Sequence, residues 1–364
     1  MLKRIKFTSL NLINAGLLSF FIGMTTMTQA SSQPEGPESI PFSTHCLGRY
    51  LIDLPQDMAL LKLSVVHPIY QFNTFGSGAI RGRDNKGLLE GKERIATWLK
   101  MVDEEKIKYY QENPAQYVAQ KLDQDIKVGV IEVDLKALRE DPNADRLFQT
   151  YLLVDNPDIK KSLVVNEIYD LRLPKGQKDA TEKINARAAN LVKAASNIEL
   201  GNVSNTNAVG LCFPDGITVH ASSPEKDTDG SYRELYTVSF RNGKNSSLEF
   251  DVTTYPSGAE SSLEEETDKA SGLWAMLASK KVTVAGREGR LFISDGQYSS
   301  SQREFVWTSS DSKTNSVRNT HIQISGELEI EDYPQMKPLN ATDVIIALLK
   351  SIRIRENGMA GVTN

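Results

Sequence analysis

Apolar and polar residues alternate along most of the chain, and that alternation gives way four times to a helical period. From Ala59 the text ALLKLSVVHPIYQFNTF predicts paired strands. From Arg233, RELYTVSFRN and SSLEFDVTTYP repeat the pattern, with Asn242-Gly243 as a tight-turn signal between them. Each strand group runs into a helix carrying a tryptophan. In the first, Leu88, Ile95, Trp98, Leu99 and Val102 recur at helical spacing; in the second, LEEETDKASGLWAMLA opens with acids, as a helix N-terminus prefers. Strands follow again, IKVGVIEVDL, RLFQTYLLV and SLVVNEIYDLRL against KKVTVAGREGRLFIS, REFVWTSS and THIQISGEL. Each half closes on a helix and a strand, INARAANLVKAASNIEL and ATDVIIALLKSIRIR. Long strand runs broken by single helices predict an α+β fold: two related domains, each an antiparallel sheet with helices packed on it.

The two halves also begin alike. Cys46 precedes the strand GRYLIDL and Cys212 precedes GITVHAS. The loop text NIELGNVSNTNAVG (197–210) separates the halves, which places the domains at 45–203 and 208–356, with a disordered tail at 357–364. Ahead of them, residues 31–44 read as a flexible leader. Residues 1–30 have three cations, an apolar run and small residues before a cut at Ala30, the pattern of a cleaved secretory signal. No later segment is apolar enough to cross a membrane, so the mature chain is expected to be a periplasmic protein without a transmembrane span.

Composition narrows the partners. Loss of Lys3, Arg4 and Lys6, with no acid beside them, takes the net charge from −5 to −8. That argues against nucleic acid and anionic membranes as partners, and suits either a basic protein surface or solubility alone. Cys46 and Cys212 could pair in an oxidising compartment, or be two small buried residues; the sequence leaves both open.

Candidate chemistry is sparse. His45, His67, His220 and His321 are scattered, without metal-ligand spacing, and no metal or cofactor is expected. His45 adjoins Cys46, but neighbours on a strand face opposite ways, against a Cys–His dyad. No nucleophile-elbow or phosphate-loop pattern occurs. The glycine-rich FGSGAIRGRDNKG (75–87), with Arg81 and Arg83, reads as a surface loop able to touch a partner. The acidic run Glu264, Glu265, Glu266 and Asp268 suggests a divalent cation site, but three consecutive glutamates fan around a helix and cannot all face one ion, so it reads as a solvated acidic patch at a helix start that attracts Lys or Arg. Trp98 and Trp274 lie on apolar stripes and read as core.

CLGRYLIDLP (46–55), VAGREGRLFISDG (284–296) with REFVW (303–307), IQISGEL (322–328) and LLKSIRIR (348–355) together resemble the type VI secretion immunity proteins that protect against the class-four lipase effector. The resemblance runs from Cys46 to Arg355. It implies a periplasmic antidote, monomeric when free and not an enzyme, whose two domains form a two-lobed pincer. Its partner would be a cognate lipase, gripped at the lid so that lipid cannot enter. The quoted motifs are framework, so the partner contacts expected at Arg81, Arg83, Glu264, Glu265 and Asp268 rest on charge and loop position. The residues leave two other readings: a periplasmic hydrolase with a dispersed site, or a cell-envelope binding protein.

Overall fold

The computed structural model describes residues 42–75, 87–100, 110–111, 117–121, 124–133, 146–168, 171–174, 176–266, 279–295, 301–333 and 339–362. In the first half the elements are β1 (Phe42–Leu47), β2 (Tyr50–Pro55), β3 (Ala59–Val66), β4 (Tyr70–Phe75), β5 (Leu88–Glu90), helix α1 (94–100), β6 (Tyr110–Gln111), β7 (Tyr117–Lys121), β8 (Gln124–Val133), β9 (Arg146–Asn156), β10 (Lys161–Glu167), β11 (Leu171–Leu173), helix α2 (Ala180–Ala195) and β12 (Ile198–Leu200). The second half holds β13 (Gly210–Cys212), β14 (Ile217–His220), β15 (Leu235–Arg241), β16 (Ser247–Thr253), helix α3 (260–266), β17 (Lys280–Val284), β18 (Arg287–Asp295), β19 (Gln302–Ser309), β20 (His321–Glu329), helix α4 (Ala341–Ser351) and β21 (Arg353–Ile354).

Fifteen described strands join one antiparallel sheet. Its centre is the pair β3–β15, and the order outward is the same on both sides: β3-β4-β10-β9-β8 in one direction, β15-β16-β20-β19-β18 in the other. Two like halves meeting through an antiparallel pair is the arrangement of a two-fold axis. The remaining strands make two small sheets. β2 of the first half pairs with β1 and with β21 of the second; β14 of the second half pairs with β13 and with β12 of the first. Each half's closing strand therefore completes the other half's opening hairpin.

This differs from the expected division at 203–208. The stretches expected as separate domains share one sheet and trade their last strands, and Ser39–Asn364 forms one compact unit. The physical reason lies in β3 and β15. Both bury one face, Leu63 and Val65 beside Tyr236, Val238 and Phe240, and each covers the edge that the other would leave open. Residues 357–362, expected in a disordered tail, are held as well: the Gly358 carbonyl accepts from Arg49 Nη1, and Asn357 Nδ2 donates to the Asn207 carbonyl at 2.8 Å. Leu88, expected on the first helix, is in β5, and that helix begins at Arg94.

Core and caps follow the pattern. α4 starts at Asn340, whose side chain accepts from the Asp343 amide at 2.9 Å, and it buries Val344, Ile345, Leu348 and Leu349. α2 buries Ala188, Leu191 and Ala195. Both helices join the main core, with Trp307 fully buried and its Nε1 donating to the Val282 carbonyl at 2.9 Å. A smaller cluster, Trp98 with Leu89, Leu153 and Val164, sets α1 on the opposite face of the first half. The continuous apolar text of β9 and β10 reflects this: those strands are covered on both sides.

Cys46 and Cys212 form a disulfide. Gly48 has φ +63°, and a β-carbon there would lie 2.3 Å from the Tyr236 ring. Arg49 is buried against Glu234, bonding it through Nε at 3.0 Å. The strong ion pair outweighs the cost of burial, so its guanidinium is held more firmly charged than usual. Ala285 and Gly286, both at positive φ, make the tight turn between β17 and β18. Gly289 lies under the Trp307 ring, 2.4 Å from where its β-carbon would be. Arg355 is 1% exposed and meets no carboxylate among the described residues; it donates to the carbonyls of Gly48, Thr206, Ala208 and Gly210.

Candidate partner-binding face

The candidate site is the second face of the central strands. There the side chains that alternate with the core residues are polar and form two rows across the sheet. Ser64 on β3 stands opposite Thr237 on β15, Thr237 opposite Asp251 on β16, and Asp251 opposite Gln323 on β20. Two residues along, Lys62, Ser239, Glu249 and Ser325 form the second row. Seven of the eight are half-buried, and Ser239 is buried. The pattern is the period of two: each inward Leu, Val or Phe is followed by one residue turned away from the core.

The rows are ordered by their own hydrogen bonds. Thr237 Oγ1 donates to Asp251 Oδ1 at 2.5 Å and Ser239 Oγ to Glu249 Oε2 at 2.7 Å. Burial pushes the Asp251 carboxyl up to about 6, with neighbouring Glu249 adding to the rise and the Thr237 bond and Lys62 opposing it. The face thus offers fixed acceptors, a carboxylate pair and one ammonium. Hydrogen bonding and charge pairing are within its reach.

The histidines are placed apart. His45 Nε2 meets Ser43 Oγ at 2.8 Å, and its ring stands edge-on to Phe240; burial lowers its pKa, with Asp53 opposing. His67 stacks on Tyr70 at 4.2 Å, and burial pulls it down to about 4. His220 pairs with Glu199. His321 is buried beside Tyr255, its pKa lowered by burial, with Glu266 opposing and Arg287 assisting. Among the described residues, no group of three or more His, Cys, Asp or Glu could hold a metal ion. Cys46 carries no thiol, because its sulfur is bonded to Cys212.

Of the partner contacts expected from sequence, Arg81, Arg83 and Asp268 lie outside the described residues, as does Trp274. Glu264 and Glu265 are exposed on α3. Glu264 lines an open groove with Glu260, Ser310 and Lys313, at the end of β19. Sequence reasoning passed over the rows themselves. Their signal is the contrast between strands: RELYTVSFR and SSLEFDVTT keep one polar face, whereas LLV of β9 and LVV of β10 are apolar throughout.

No family model matches the chain, and no curated protein matches it. Two solved structures are similar to it. One is the immunity protein TplEi of the type VI secretion system of Pseudomonas aeruginosa complexed with "L" peptide. It is 14% identical, with 86% of this chain and 98% of that chain covered, at a TM-score of 0.49. The other is the apo structure of TplEi, 17% identical, with 86% and 97% covered, at a TM-score of 0.48. Both likenesses concern the course of the backbone, and neither carries an argument about what this chain binds. Among the described residues, no helix is long and apolar enough to cross a membrane.

Proposed function

We propose that the chain is a periplasmic immunity protein that binds a type VI secreted lipase and blocks its lid and active-site entrance, without catalysing a reaction. The observation that carries this reading is the pair of polar rows: eight side chains on four adjacent strands, four of them joined in hydrogen-bonded pairs and most half-buried, turned away from the core. Such a face suits a protein partner that brings aromatic or arginine anchors to its desolvated centre. The halves to either side act as the two jaws of a pincer. Arg81, Arg83, Glu264, Glu265 and Asp268 are proposed to make rim contacts that steer the encounter. The buried disulfide and the signal-like N-terminus favour an oxidising compartment outside the cytoplasm.

The test is an assay of the lipase encoded beside this chain's gene, with and without the purified mature protein. Loss of lipase activity at equimolar ratio is the expected result. Full lipase activity at tenfold excess, or turnover of lipid by the chain alone, rejects the reading.

A further inference from the structure

Cys46 and Cys212 are joined across 166 residues of chain, and both are fully buried. The bridge lies where the two opening hairpins touch: Gly48 N donates to the Cys212 carbonyl at 2.7 Å, and Cys212 N to the Gly48 carbonyl at 3.0 Å. Arg355, the residue after β21, donates to the carbonyls of Gly48 and Gly210, each two residues from a cysteine. The ladders that the hairpins receive from the opposite half are short. β12 meets β14 through three residue pairs and β21 meets β2 through two, whereas β15 meets both β3 and β16 through seven. Short ladders near a junction open at lower free energy than the centre of a long sheet.

We propose that oxidation of Cys46 and Cys212 is the step that fastens the two opening hairpins to each other and holds β12 and β21 on them. The reduced chain visits an open form in which β12 and β21 have left the hairpins while the long sheet persists, and the disulfide suppresses that form. Oxidation takes place from the open form, since both sulfurs are enclosed in the closed one. One cysteine thiolate attacks the disulfide of an external dithiol–disulfide oxidant and displaces one of its thiolates. The second cysteine then displaces the other. Two protons and two electrons leave the chain, and the oxidant departs as a dithiol. Once closed, the bridge is beyond the reach of a soluble reductant.

The test compares amide hydrogen exchange in the oxidised mature chain and in its Cys46→Ala/Cys212→Ala form. Amides of Ile198–Leu200 and Arg353–Arg355 are expected to exchange between about 30- and 1000-fold faster without the bridge, while those of β16 and β20 change less than about threefold. Equal acceleration everywhere, or none in β12 and β21, overturns the proposal. A second measurement needs no variant. The native oxidised protein, treated with a soluble phosphine reductant, should resist maleimide labelling for hours and react only once urea is added. Rapid labelling without urea overturns the proposal equally.

Discussion

A methyl group on Gly48 would meet the Tyr236 ring at 2.3 Å from a backbone already at φ +63°, whereas one on Gly91, at φ +84°, would meet nothing within 4 Å. The pair separates backbone strain from crowding. Gly91→Ala is expected to cost about 1 kcal/mol and Gly48→Ala about 3 kcal/mol, read as urea midpoints at constant m-value. Asp251 makes a prediction in pH. Its carboxyl is pushed up to about 6, above the ordinary 3.8, so the folded state holds a proton that the unfolded state has lost. Its contribution is fully present below about pH 4 and disappears as pH rises through about 6. Asp251→Asn should therefore raise stability at pH 7 by about 1–3 kcal/mol and flatten the decline between pH 4 and 6; an unchanged pH profile would remove Asp251 as its source. Sequence reading reached part of this scale. The glycines of VAGREGRL together read as setting a turn between strands; Gly286 does so at positive φ, whereas Gly289 serves instead to admit Trp307. A glycine's need for φ is local, whereas its need for space depends on a residue many positions away.

Most elements were legible because periodicity is a local property. The strand runs, α2 and α4 lie where alternation and helical spacing put them. Two departures have physical causes. Leu88 pairs with Leu163 in a sheet, and that tertiary pairing overrides its helical spacing to Ile95. Asn242-Gly243 does not form a two-residue turn. The Asn242 side chain accepts from Lys244 N at 3.1 Å and Ser246 N at 2.9 Å, and holds a wider loop. Arg355 shows how one residue docks an element. Burial takes it down to about 10, and four carbonyls from two segments hold it in place of a carboxylate. Arg355→Met keeps the stem and removes every donor. It should cost about 2–4 kcal/mol and expose the Thr206–Gly210 segment to limited proteolysis. An unchanged cleavage pattern would show that β21 docks without it.

At the scale of the whole molecule, the doubled plan was visible in the order of strands and helices, but the trading of closing strands was not. One of the two trades depends on pairings between the ends of the chain, such as Tyr50 with Ile354, and the other, Ile198 with Val219, crosses the loop expected to divide the domains; no local pattern encodes either. The proposed partner face is tested here too. Ser64→Arg and Gln323→Arg each put a long cation on a row without removing a core contact. Each is expected to weaken lipase binding at least about 100-fold with the melting temperature unchanged, whereas Glu264→Lys, on the rim, should weaken it less than about tenfold. Equal effects from all three would move the binding surface off the central strands. The traded strands have one more consequence. A polypeptide emerging from a narrow channel N-terminus first cannot finish its first hairpin until Arg353 and Ile354 have followed. The sheet of β1, β2 and β21 is therefore among the last parts of the fold to close, whatever the earlier strands have already formed.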